Sequence, residues 1–156
     1  PLRTMLGWSL VFFMTVALTD KFAEWVPWLK RGFLRRAVVA TAIALALDTQ
    51  LDPLASLSGV FWKWNEALPP GFLGEPWLNW AAWTGAFLPY AYFVFKIKDR
   101  DDWSEGRRNY ELFLRVPLAA VIGGCICFGI MAVLEGGFGG PTWDLLREFQ
   151  HRLMPY

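Results

Sequence analysis

Four apolar segments, each about as long as a helix that crosses a bilayer, constrain this chain more than any other feature. The first runs from Met5 to about Thr19 and can continue to Trp28. The second runs from Ala37 to about Leu57, interrupted by Asp48 and Asp52. The third spans Trp77 to Ile97. The fourth spans Leu112 to Leu134, with Arg115 and Pro117 near its start. A helix satisfies its own backbone hydrogen bonds in lipid, so the expected fold is all-α. It is a polytopic membrane bundle of about four transmembrane helices over residues 1–140. Composition agrees. Fifty-five per cent of the residues are hydrophobic and 19 % charged, below the roughly 25 % that a soluble domain carries. A soluble domain and a disordered chain are both excluded on that ground. The first segment does not read as a signal peptide, because no clear small-residue cleavage site follows it.

Charge sets an expected topology. With four spans, the first and third connections share a side, and that side holds eleven basic residues, among them Arg36, Lys98 and Arg115. The other side holds four: Arg3, Lys63, Arg147 and Arg152. The positive-inside rule then puts both termini and the 58–76 loop on the non-cytoplasmic side, in a bacterial inner membrane. A net charge of +1 argues against nucleic acid as a partner. Residues 98–111 mix both signs and read as a solvated cytoplasmic loop. Residues 58–76 are aromatic and rich in Pro and Gly, and read as an interfacial loop or one folded over the bundle. After the GGFGGP hinge at 136–141, residues 141–156 form a second unit. Pro141 to Met154 has the pattern of an amphipathic interfacial helix, with Thr142 as a plausible N-cap.

Cys125 and Cys127 lie in an apolar run with no His nearby. They are read as small packing residues and not as a metal site or a disulfide. The single His151 in the tail excludes a bis-His haem within the chain.

Three groups of residues carry possible chemistry. Asp48 and Asp52 are four apart, so on a helix they share a face near its outer end. Intramembrane carboxylates usually face the bundle interior or water. Two such carboxyls can share a proton, leaving one as a general acid. The structural alternative is that Asp52 ends the helix before Pro53 and both are solvated. Glu66 and Asn65 follow Trp62 and Trp64 on the same side. A tryptophan-lined pocket with a carboxylate suits a long apolar ligand, and an aromatic belt is the alternative. Asn79 opens the third span beside Trp77, Trp80 and Trp83, and the Asp48/Asp52 face is its obvious partner. Glu135 ends the fourth span on that side too.

The run Asp48-x-x-x-Asp52-Pro53, then Trp62-x-Trp64, then Gly74-x-Pro76-x-x-Asn79-x-x-x-Trp83 resembles the membrane carotenoid biosynthesis proteins. These include the bisanhydrobacterioruberin and γ-carotene hydratases. The order and spacing fit over residues 33–90, corresponding to the C-terminal half of the family pattern. Trp80 stands where the family has Phe, and Ala82 where it has Gly.

The resemblance implies addition of water across the terminal double bond of an acyclic carotenoid, with no redox cofactor and no metal. Protonation of the alkene by a carboxylic acid gives a tertiary cation, which water captures. On that reading Asp48 and Asp52 supply acid and base, Asn79 orients the water, and Trp62, Trp64 and Trp83 face the cation. Glu66 and Trp80 complete the substrate pocket. The competing class is a non-catalytic subunit that binds a carotenoid or fills a seam among other membrane subunits, as in a photosynthetic or respiratory assembly. Its partners are lipid, a carotenoid or similar apolar ligand, and those subunits.

Overall fold

The computed structural model describes residues 2–59 and 63–153. Among them the regular elements are helices, with an irregular stretch from 63 to 71. Four long helices, α1 (Leu2–Trp25), α3 (Phe33–Leu57), α4 (Trp77–Lys98) and α5 (Glu105–Leu134), are joined by a short α2 (Pro27–Lys30) and followed by α6 (Pro141–Leu153). Three stretches are long and apolar enough to cross a membrane: Leu6–Trp25, Phe33–Ser56 and Glu105–Leu134. The chain is therefore a membrane protein with an all-α bundle. Helix α4 has 22 residues, about 33 Å at 1.5 Å per residue. It holds three Trp and two Tyr, which score low on a hydropathy scale although their rings bury well. It packs between α3 and α5, so it runs alongside two of the apolar helices.

The boundaries differ from expectation in two places. The 98–111 stretch is not all loop. Helix α5 starts at Glu105, and the Ser104 side chain accepts from the Arg107 backbone N–H as N-cap. The charged residues that follow form exposed first turns of that helix, with Glu105 at the favourable positive end of its dipole. Thr142 is not the cap of α6, which begins at Pro141 with Gly140 ahead of it. The Thr142 N–H instead donates to the Glu135 carboxyl at the end of α5. Helix α3 also continues through Pro53 to Leu57, so Asp52 lies inside the helix and not at its end.

Core packing comes from two sources. Trp8 and Phe12 of α1 stack on Trp83 and Phe87 of α4, at centroid distances of 4.5 and 4.0 Å. Ala44 of α3 packs against this layer, while Ala37 and Ala40 pack separately with Ala91 and Phe95 of α4. Between α4 and α5 the contact is made by backbone. Gly85 and Gly123 face each other so closely that a Cβ on either would strike the other's carbonyl. Pro89, which has no N–H, leaves the Gly85 carbonyl without its helical donor. Small residues at four-residue spacing (Ala81 and Gly85, Ala119 and Gly123) are the usual means of close helix approach in lipid.

The two ends of the bundle differ electrostatically. At one end Arg36 of α3, 6 % exposed, pairs with Asp99 after α4 and lies 3.6 Å from Asp20 of α1, while Lys98 also pairs with Asp20. At the other end α3 and α4 bring buried acids together.

Candidate functional site

Asp48 and Asp52 lie one turn apart on α3, 5 % and 2 % exposed. Opposite them, at the start of α4, Asn79 donates from Nδ2 to Asp48 Oδ2 at 2.7 Å and to Asp52 Oδ2 at 3.1 Å. The same nitrogen lies 3.3 Å from Glu75 Oε2. One amide thus bridges three carboxyls from two elements. The segment entering α4 is fixed for this purpose. Phe72–Gly74 forms a 3-10 turn, the Gly71 N–H donates to the Glu75 carbonyl at 2.6 Å, and Pro76 holds extended backbone before the first helical turn. Gly71 is required there, because a Cβ would collide with the Glu75 carbonyl. Glu75 is thereby turned inward and is fully buried.

Burial pushes the Glu75 carboxyl above its ordinary value. The hydrogen bond from Asn79 opposes that shift, and the charge of Asp52 adds to it. An oxygen from each of Asp48, Asp52 and Glu75 lies within 4.8 Å of the others, a spacing at which acids can hold a metal ion. Here an amide nitrogen hydrogen-bonded to all three already stands among them, so a cation at that centre would have to displace Asn79.

The remaining residues singled out in the sequence are placed variously. Trp80 neighbours the cluster. Its ring meets Phe72 edge-on at 6.2 Å, and its indole N–H faces Glu75. Trp64 is half-buried with its Nε1 buried. Glu66 is exposed in a turn, and Asn65 accepts from the Ala67 N–H; neither joins the acids. Trp83 is a packing residue, stacked on Trp8 and on Phe87. Those stacks engage the ring that was expected to face a cation. Trp62 lies outside the described residues. Glu75 is the member the sequence reading missed, although it is the variable residue of Gly74-x-Pro76 and stands four before Asn79, one helical turn away.

A groove of about 690 Å³ runs along α1, α4 and α5, lined mainly by apolar side chains such as Phe12, Val16, Ala86 and Ala120, with Tyr90 part-way along. Ala82 and Ala86, which also line it, follow Asn79 on α4 at three and seven positions and so share its face.

A buried carboxyl cluster at one end of apolar helices, together with an apolar groove along α1, α4 and α5, points toward chemistry on a hydrophobic substrate. Comparison with known families gives the same direction: the family described as carotenoid biosynthesis protein matches residues 1–141. The chain belongs to this family. The match extends well beyond the 33–90 stretch that carries the motifs and takes in all four long helices. No curated protein and no solved structure matches the chain. In this carotenoid biosynthesis family member, Asp48, Asp52 and Asn79 come from two matched helices and meet in one contact.

Proposed function

We propose that this protein is a carotenoid hydratase, adding water to the terminal double bond of an acyclic carotenoid without a redox cofactor. The observation that carries this reading is the buried Asp48–Asn79–Asp52 contact. Alkene hydration needs a carboxylic acid that can protonate carbon and a carboxylate that can take a proton back. Two carboxyls bridged by one amide, at the end of apolar helices, supply both. Family membership favours a polyene as substrate. The α1/α4/α5 groove favours an extended apolar chain. The excess of basic residues at the opposite end favours a non-cytoplasmic acid cluster in a bacterial inner membrane.

Expression in a host that accumulates an acyclic carotenoid tests this reading. Chromatography and mass analysis should show a product heavier by one water. Asp48→Asn and Asp52→Asn should each abolish it while the chain stays folded in the membrane. Full activity in both variants would end the assignment. The groove also favours a second reading, a carotenoid-binding subunit without turnover. In that case pigment co-purifies with the chain, no hydrated product forms, and the chain migrates with a larger assembly.

A further inference from the structure

The connection between α1 and α3 carries three cations that no described carboxylate neutralises. The first apolar stretch ends at Trp25 and the second begins at Phe33, so residues 26–32 turn at the surface of the bilayer. Lys30 and Arg31 close the short helix α2 there, and Arg35 follows in the first turn of α3. All three are exposed. The acids of this corner are already engaged. Asp20 pairs with Lys98 and faces Arg36, Glu24 pairs with Lys21, and Asp99 pairs with Arg36. Among the described residues, no carboxylate forms an ion pair with Lys30, Arg31 or Arg35.

Arg35 is held in place by the protein itself. Its guanidinium donates to the Trp28 carbonyl at 3.1 Å and lies 4.7 Å from the centre of the Trp28 ring. Its stem passes Gly32, where a Cβ would press on Arg35 Cδ at 3.3 Å. The side chain thus folds back from α3 toward the Lys30–Arg31 turn, and the buried Leu29 anchors that turn in the bundle. The bond to Trp28 uses one guanidinium donor, and the others remain able to meet an acceptor. The same surface is aromatic and apolar. Trp25 and Trp28 are 70 % and 56 % exposed, and Leu34 of α3 is exposed beside them in sequence. Indoles at the end of a span sit at headgroup level. A phospholipid meets both parts of this surface, with its acyl chains against the apolar side chains and its phosphate against the cations. A free anion answers only the charge.

We propose that Lys30, Arg31 and Arg35, with Trp28, bind the phosphate headgroup of an anionic phospholipid. The site lies at the end of the bundle away from the acid cluster, and it does not depend on the hydratase reading.

The test is native mass spectrometry of the full chain released from detergent micelles, with phosphatidylglycerol and phosphatidylcholine supplied at equal concentration. Wild type should retain phosphatidylglycerol in preference, and added salt should weaken that preference. The triple variant Lys30→Gln/Arg31→Gln/Arg35→Gln should weaken retention roughly 10²-fold, at about fivefold for each cation. A control triple, Lys96→Gln/Arg100→Gln/Arg107→Gln, removes three exposed cations from the same end of the bundle and should leave retention nearly unchanged. Arg35→Lys keeps the charge but loses the planar fork over Trp28, so it should fall between wild type and the triple variant. If the triple variant does not fold, Arg31→Gln alone still gives the answer, with an expected loss of about fivefold. Equal retention of the two lipids by wild type overturns the site. So does unchanged retention in the triple variant, or an equal loss in the control triple. Displacement of the lipid by soluble glycerol 3-phosphate overturns the lipid assignment in favour of a free phosphate ester.

Discussion

Asn79 Nδ2 donates to Asp48 Oδ2 at 2.7 Å, and this single bond ties the start of α4 to the C-terminal half of α3. The amide occupies a position where three carboxyls would otherwise face one another. Its removal therefore has two costs, a lost charge-assisted hydrogen bond and unrelieved repulsion. Asn79→Ala should lower stability by about 2–3 kcal/mol, read as a fall in thermal midpoint in mild detergent. Asn79→Asp should be worse, because it adds a fourth acid. A midpoint for Asn79→Asp at or above that of wild type would show that the amide is not what holds the acids together.

Glu75 predicts a pH dependence. Its carboxyl is raised from an ordinary 4.5 by burial. Between pH 4.5 and the raised value the folded chain holds more of this proton than the unfolded chain does, so stability falls as pH rises. The contribution is full below the unfolded value and is lost once the pH passes the folded one. Glu75→Gln cannot titrate. Its thermal midpoint should fall less than that of wild type across this interval, and parallel pH profiles would refute the assignment.

The helical fold and half of this site were legible in the sequence, for reasons that can be given residue by residue. Asp48, Asp52 and Asn79 stand out because polar groups in apolar spans are expensive and must find partners. Once α3 and α4 are antiparallel neighbours, their ends must meet. Glu75 was not legible, because its burial depends on the turn at Phe72–Gly74 and the Gly71 contact, neither of which has a periodicity. The packing of Trp83 was not legible either, for a related reason. Its ring lies at the motif's spacing, but α1 stacks Trp8 on it, and that pairing is non-local. The start of α5 was missed because hydropathy marks where a helix enters lipid and not where it begins. Ser104 and the acidic Glu105 after it were the available signal.

Arg36 at the opposite end predicts a separable effect. It is buried and bonded to Asp99, and it also faces Asp20. Arg36→Ala leaves two carboxylates without this partner. The loss should be about 2 kcal/mol, below the ~3–5 of a fully buried pair, because the Asp99 side chain is 38 % exposed. Arg36→Met should lose less, since it keeps an apolar stem in the buried site although the guanidinium over Phe95 is lost. Neither should change the chemistry at Asp48, so product per folded molecule is the control. A variant that folds normally but makes no product would mean that the two ends are coupled.

Chelation discriminates between two uses of the same three acids. With Asn79 bonded among Asp48, Asp52 and Glu75, an amide stands where a divalent ion would sit. Exhaustive treatment with EDTA should leave both the thermal midpoint and hydration unchanged. A loss restored by one added metal would reassign the cluster as a metal centre.

The seam between α4 and α5 gives the most local prediction. Gly123 faces the Gly85 carbonyl, which Pro89 has freed from the helical ladder. A Cβ at 123 meets backbone, and backbone cannot rotate away as a side chain could, so the two helices must part. Gly124, its immediate neighbour, has open space around the same added atom. Gly123→Ala should therefore lower stability by about 1–3 kcal/mol, while Gly124→Ala should leave it unchanged or slightly raised through better helix propensity. The two variants differ by one position in one helix and carry the same chemical change, so lipid partitioning and expression cancel between them. The comparison is made by thermal unfolding in detergent and by protease sensitivity of the 99–104 connection, which should open as α5 moves off α4. Equal effects from the two substitutions would show that the close backbone approach is not what seats α5, and that the α1/α4/α5 groove has a different floor.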